Sequence, residues 1–532
     1  MRRNLRHVAA PATNRAKART RTFSPPVRGW IRNENLAASQ RAGAHVLDNF
    51  FPMSTGIRLR GGSRKHATIS TGAVSSLWAY KSGTAELLFA SDTTGIFDIT
   101  SVVDPDTIPE AVVAGQTAGY YATVQMGTVG GNYLYAVNGS DDALLFDGAT
   151  WTAINAVSSP AIEGVATSRL SFVWVFASRL FFVEKGTMRV WYLPVDAIGG
   201  TAGSFSLDGI FQDGGELLFG GSWSLDSGDG LDDKCVFVSS TGEVAIYEGT
   251  NPANAATWSR VGVYDITPPM GFNATLKAGG DLIIATEDGM VPVSQAIQKD
   301  AAALSLSAVS RAIEPEWKAE VGARRSRPWD VLKWPSNNMA LVALPVINAT
   351  TQANCFVVNL ETGAWSRYTG WDTQCVALFN GIGHFGTSDG RIMQMEVGGQ
   401  DDGLPYTAVY VGLFDHLKTP GAVKTVHSAR TVLTVDSDVR PRVSISANYA
   451  VKLPAPPNST DDYVTDTWDS GLWDQATWDV GVSLETNIKW ASIGKTGFAV
   501  APQLQITSGV TPTPHVNLVS MDLLYETGSV MV

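Results

Sequence analysis

Charge is scarce in this 532-residue chain: Asp, Glu, Lys and Arg make up 17%, against ~25% in an average globular domain. That excludes a long solvated helix or coiled coil, whose faces are built from Glu, Lys and Arg. Cysteine is scarcer still. Cys235, Cys355 and Cys375 are too few and too scattered for a disulfide framework or a zinc site, and each borders an apolar run that suits core packing. No apolar run reaches the ~18 residues of a membrane helix. The best candidate, Leu170 to Ala177, is cut off by Arg179, so no membrane insertion is expected. No apolar stretch of seven or more follows the first arginines, so the start does not read as a secretion signal. A Walker loop, a G-x-S-x-G elbow and a G-x-G-x-x-G after a strand are all missing. None of the seven His stands with Cys, Asp or Glu at zinc spacing. The expectation is a protein with no catalytic residue, no cofactor and no metal.

Apolar residues and glycine are plentiful. Hydrophobic residues make up 44% and Gly accounts for 52 positions, which points to a sizeable core and many tight turns. One pattern recurs: four or five apolar or β-branched residues, a short polar turn containing Gly, then a second apolar run. The turn glycines are Gly95, Gly139, Gly186, Gly242, Gly289, Gly363 and Gly390. Each reads as a hairpin, because Gly supplies the positive φ that tight turns require. The spacings are 44, 47, 56, 47, 74 and 27 residues, and a four-stranded propeller blade takes roughly 40–50. The expected fold class is all-β, with a β-propeller of about six or seven blades over residues 70–400. One large β-sandwich, or two stacked ones, is the competing arrangement. The 74-residue gap has room for helix, best placed at Ser294 to Leu304 and around Pro315 to Val321. After residue 404 the strands lengthen and prolines break them, as at Pro454, Pro456, Pro457, Pro512 and Pro514. The resulting division is a basic arm with a short anchoring segment (1–45), the propeller (46–403) and a smaller sandwich-like β domain (404–532).

Charge is split along the chain. Residues 1–65 hold 14 Lys and Arg against two acids, whereas the rest hold 25 against 48. Tight phosphate binding needs clustered bases, so the acidic body suits passage of DNA without sequence-specific retention. The arm carries Arg2, Arg3, Arg6, Arg15 and Lys17. It reads as a solvated tail, a docking element for a partner, or a DNA contact. The stretch Asp226 to Asp233 mixes acids with Gly; an acidic turn is the plain reading and a calcium loop the alternative. Trp468, Trp473 and Trp478 recur every five residues, a period that fits neither a helix face nor a strand face. Such rings have to leave water, either over the domain's own core or against a neighbouring subunit, with sugar stacking a weaker option.

Several segments resemble a known family. They are Phe23-Ser-Pro-Pro-Val-Arg-Gly-Trp30, Ala44-His-Val-Leu-Asp48-Asn49-Phe-Phe-Pro52, and Gly56-Ile-Arg58-Leu-Arg60-Gly-Gly62 with His66-Ala-Thr after it. Further along come Gly242-Glu-Val-Ala-Ile-Tyr247, Trp258-Ser-Arg-Val-Gly262, Asp281 to Gly289 and Tyr525-Glu526-Thr-Gly528. Together they look like the tail nozzle and head-closure proteins of short-tailed bacteriophages (the tail tubular protein B and packaged-DNA stabilisation group). The resemblance implies a structural virion protein of the tail, assembled in the host cytoplasm. It implies a homo-oligomeric ring, a hexamer, beneath a portal or adaptor protein and near tail fibre or tail tip proteins, with double-stranded DNA passing through its centre for ejection. The alternative function is a glycan-binding or glycan-degrading propeller of a phage tail.

Overall fold

A computed structural model of the chain describes residues 18–34, 42–224, 233–436, 440–459, 485–487 and 489–530. Its propeller is built from antiparallel units in chain order. Blade 1 is Ser76–Ser82, Ala85–Ser91, Gly95–Asp98 and Val113–Ala114. Blade 2 is Ala122–Thr128, Gly131–Val137, Ala143–Phe146 and Trp151–Ile154. Blade 3 is Leu170–Phe176, Arg179–Glu184, Arg189–Tyr192 and Gly203–Ser206. Blade 4 is Leu217–Trp223, Lys234–Ser239, Glu243–Glu248 and Ser259–Asp265. Blade 5 has three described strands, Thr275–Ala278, Asp281–Thr286 and Gly289–Pro292. Blade 6 is Asp330–Trp334, Met339–Leu344, Asn354–Asn359 and Trp365–Thr369. Blade 7 is Cys375–Phe379, Ile382–Gly386 and Arg391–Met395, completed by Ser63–Thr68 from the other end of the chain. The ring therefore has seven blades among the described residues, closed by that pairing.

Six of the seven turn glycines lie in the turn between the second and third strands of their blades or, like Gly95 and Gly289, open the third strand. In blade 6 that turn is the longer 345–353 segment, and Gly363 belongs to the next turn. This explains the uneven 74 and 27 spacings. The gap also holds helices Val293–Ala296, Ala301–Leu304 and Glu314–Arg324. Glu314–Arg324 packs against the last strand of blade 5, and Trp317 Nε1 donates to Thr286 O at 2.9 Å. Glycine is required by close approach at Gly390, where φ is +85° and a Cβ would lie 2.0 Å from Ser70 O.

Alternation along each strand gives each blade two apolar faces, and neighbouring blades bury them against each other. Blades 1 and 2 share Trp78, Phe89, Leu134 and Phe146. Blades 3 and 4 share Trp174, Phe181, Phe237 and Trp258. Blades 7 and 1 share Ala67, Leu77, Phe97 and Ile392. Cys235, Cys355 and Cys375 are buried free thiols in these layers, matching the packing role expected of them.

The second domain is a two-sheet β-sandwich. One sheet comprises Ala44–Asp48, Tyr406–Gly412, Val500–Ser508 and Arg442–Ala447. It runs on into blade 6, because Asp48 pairs in parallel with Arg367. The other sheet has Val516–Val530 and Ala422–Val435 at its centre. Phe50–Pro52, Ile57–Leu59 and Arg19–Phe23 lie on the Val516–Val530 side, and Glu485–Asn487 and Trp490–Gly497 on the Ala422–Val435 side. Val426, Ala429, Ile445, Val500, Leu523 and Tyr525 fill the space between the sheets. The boundary drawn at residue 46 does not follow the sheet partners. Ala44–Asp48 and Ile57–Leu59 pair with strands of the C-terminal domain, and the propeller's described strands start at Ser63. Sequence distance hid this, because the partners are hundreds of residues apart, as in Asp48 with Val409 and Ile57 with Leu518.

The closing blade holds two histidines from opposite ends of the ring. The His66 and His384 rings meet edge-on with centroids 5.0 Å apart. His66 Nε2 lies 2.8 Å from Ile99 O, and His384 Nδ1 lies 3.0 Å from Ile382 O. His384 is 1% exposed and its Nε2 has no partner. Burial, reinforced by His66, pushes His384 down to about 4, so the folded state holds it neutral. Its stabilising contribution is complete above the unfolded value near 6.5 and is lost as pH falls from there towards 4. A His384→Gln variant, which does not titrate, is expected to fall behind wild type by a constant margin above pH 7 and to close that gap between pH 6.5 and 4. Urea titrations at half-unit pH steps check this; a gap independent of pH contradicts it.

Candidate functional site

Two of the segments that carry the family resemblance, 44–52 and 56–62, meet at the junction of the two domains, whereas 242–247, 258–262 and 281–289 lie in blades 4 and 5. Arg60 follows strand Ile57–Leu59 and is fully buried. Its Nη1 and Nη2 donate to Asp401 Oδ1 and Oδ2 at 2.9 and 2.6 Å. Nη1 also donates to Gly61 O at 2.8 Å, Nη2 to Thr369 O at 3.1 Å, and Nε to Asn49 Oδ1 at 2.9 Å. All five guanidinium N–H groups are thus used, which is what a buried Arg requires. Its Cζ lies 3.9 Å from the Tyr406 ring centroid and 4.7 Å from that of Trp371. Trp371 Nε1 and Ser63 Oγ donate to the same Asp401 carboxylate at 3.0 and 3.2 Å.

Asn49 is the second tie. It sits at φ 59°, a conformation that Asn tolerates better than most residues. Its Nδ2 donates to Thr369 Oγ1 and Thr407 O, both at 2.8 Å, while Oδ1 also accepts from Thr369 N at 2.9 Å. One side chain therefore binds blade 6, the sandwich and Arg60. Arg58 Nη1 donates to Glu396 Oε2 at 2.7 Å, and the Tyr368 hydroxyl donates to Glu396 Oε1 at 2.9 Å. Gly61 and Gly62 let the backbones touch: a Cβ on Gly62 would lie 1.9 Å from Gln400 O. Further out, Arg367 forks onto Asp48 at 2.8 and 2.9 Å. Trp30 N donates to Trp365 O at 2.7 Å.

The propeller axis is closed by aromatic rings. Tyr120 precedes blade 2 and Phe272 precedes blade 5, two blades that are not neighbours, yet their centroids are 4.3 Å apart. Phe172 of blade 3 lies 5.4 Å from Phe272 and 6.0 Å from Phe219 of blade 4. Asn273 Nδ2 donates across to Tyr121 O at 3.4 Å. These contacts leave no room for a duplex along the axis. Asp330, opening blade 6, accepts from Val376 N and Val331 N at 3.0 and 2.9 Å. Burial pushes its carboxyl up to about 7 against those two donors, and no second carboxylate contributes to the shift.

Among the described residues, one group has metal-ligand chemistry. Oxygens of Asp213, Glu243 and Asp265 lie within 4.8 Å of one another. Gln212 N and Asp213 N donate to the Glu243 carboxylate at 2.7 and 2.9 Å. Burial, with Asp213, Glu243 and Asp300 nearby, raises Asp265. Three carboxylates suit a hard cation, but the backbone donors already hold Glu243, and nothing else here selects a metal. Sequence gave no signal for this group, since its members are 30 and 22 residues apart. Arg2, Arg3, Arg6, Arg15, Lys17, Trp468, Trp473 and Trp478 lie outside the described residues, as does Asp226 to Asp232.

No family model matches the chain, and no curated protein does. Among solved structures, the chain is similar to a computationally designed protein, Ika8, at 9% identity and a TM-score of 0.34, over 63% of this chain and 100% of that one. It is similar to YCF48 from Cyanidioschyzon merolae at 8% identity and a TM-score of 0.29, over 63% and 99%.

Removing Arg60 strands Asp401 at the domain junction. Arg60→Met is expected to cost about 3–5 kcal/mol, the range for breaking a buried ion pair. Chemical denaturation checks this; a loss below ~1 kcal/mol contradicts the assignment.

Proposed function

We propose that the chain is a structural virion protein, a subunit of the tail nozzle or head-to-tail conduit of a short-tailed bacteriophage. The observation that carries the reading is where the resemblance falls. Asn49, Arg58, Arg60, Gly61 and Gly62, which match the family pattern, are the residues that fasten the propeller to the sandwich. This part of the resemblance lies at a joint and not around a cleft, which supports a structural role.

The mechanism is mechanical. Copies form a ring, a hexamer, whose wall is made of stiff β-domains, with a portal or adaptor above and fibre or tip proteins nearby. In this reading the DNA path runs between copies and not through any one of them, in keeping with the aromatic contacts across the propeller. Residues 66–403 carry 17 Lys and Arg against 36 Asp and Glu. A wall of that sign repels phosphates and lets the duplex slide when it is ejected. Low charge overall suits burial between subunits, whose interface cores are depleted of charge.

Mass photometry of the purified chain, alone and with virion partners, is the test. A ring in either setting is expected. A chain that stays monomeric in both, or that turns over a polysaccharide, overturns the reading.

A further inference from the structure

The sheet that carries Ala422–Val435 and Val516–Val530 has one face in the sandwich core and one face free of any described element. Alternation assigns the residues. Ala429, Leu523 and Tyr525 point into the core, so Ser428, Arg430, Asp522 and Leu524 stand on the opposite face. The strand registers align them into rows across four strands. One row is Thr22, Asp522, Arg430 and Trp490. The next is Thr20, Leu524, Ser428 and Ser492, and Val432 with Ser520 follows.

The first row is already organised. Thr22 Oγ1 donates to Asp522 Oδ1 at 2.6 Å, and Arg430 Nε to Asp522 Oδ2 at 2.7 Å. The Arg430 Cζ lies 4.9 Å from the Trp490 ring centroid. Both charges of that row are spent on each other, and His427 stands 3.4 Å from Glu526. What remains is hydroxyl and apolar surface, with Trp490 and the bulge residue Val519 each 46% exposed. Trp and Arg are also the side chains that most often dominate binding at interfaces.

From this placement we infer that the outer face of this sheet is a contact surface for a second copy of the chain. Two features favour that occupant. The four strands have 14, 15, 5 and 8 residues. At ~3.3 Å per residue and ~4.8 Å per strand they offer about 660 Å² of flat area, close to the ~800 Å² per partner of a stable interface. Charge decides the rest. Copies meeting through their propellers bring together two domains of 17 bases and 36 acids each, whereas the Asp522–Arg430 row at the centre of this face is internally paired and adds no such repulsion. The inference rests on the ring reading above and names one of its contacts.

The test compares oligomeric state by mass photometry for wild type, Leu524→Lys, Ser428→Glu and Val129→Lys. Val129 is a fully exposed hairpin tip of blade 2 and serves as the control. Each variant is first checked for an unchanged melting temperature. Hydrogen exchange of wild type over a concentration series gives a second readout that needs no variant. Expected are an assembled wild type and Val129→Lys, at least tenfold weaker assembly for both sheet variants, and concentration-dependent protection at residues 428–432 and 520–526. Equal assembly by all variants, with no protection there, overturns this surface and leaves the ring reading standing. Loss of assembly in Val129→Lys alone moves the contact to the propeller and overturns it too. A wild type that never assembles overturns both.

Discussion

The fold depends on one buried cation. Arg60 has no route to water and five donors to satisfy, so its surroundings have to supply five acceptors in fixed directions. They come from Asn49, Gly61, Thr369 and both oxygens of Asp401. Thr369 belongs to blade 6, Asp401 follows blade 7, and Tyr406, which stacks on the guanidinium, opens a sandwich strand. Satisfying one side chain therefore sets where the ring closes and where the second domain sits. The parallel pairing of Asp48 with Arg367 then continues blade 6 into the sandwich as a single sheet.

That arrangement suits a load-bearing part. Hinged domains are joined by linkers with few contacts crossing between them. Here hydrogen-bonded sheet, a forked ion pair and a buried Arg all cross the boundary. The aromatic plug of Tyr120, Phe272 and Phe172 stiffens the propeller from within. A rigid, acidic unit fits the proposed role of lining a passage without gripping what moves along it.

The repeats were legible because hairpin turns are local. Positive φ at Gly139, Gly186, Gly242, Gly289 and Gly390 follows from residues beside one another in sequence, and so does blade length. The blade 6 turn escaped because it is long and lacks Gly at the expected place. The pairing of Ala44–Asp48 and Ile57–Leu59 with strands of the C-terminal domain escaped for a different reason: register across hundreds of residues leaves no periodic trace. The resemblance drew attention to Arg58, Arg60 and the two glycines, but only the fold gave their task, since Asp401 is 341 positions away. The carboxylates of Asp213, Glu243 and Asp265 likewise meet only through blade 4 and the loop before it.

The central claim is that propeller and sandwich behave as one rigid body. Differential scanning calorimetry tests it most directly, through the ratio of the calorimetric to the van't Hoff enthalpy of unfolding. A single transition with a ratio near one is predicted for the monomeric chain. Two resolved transitions, with one domain melting while the other stays folded, contradict the account.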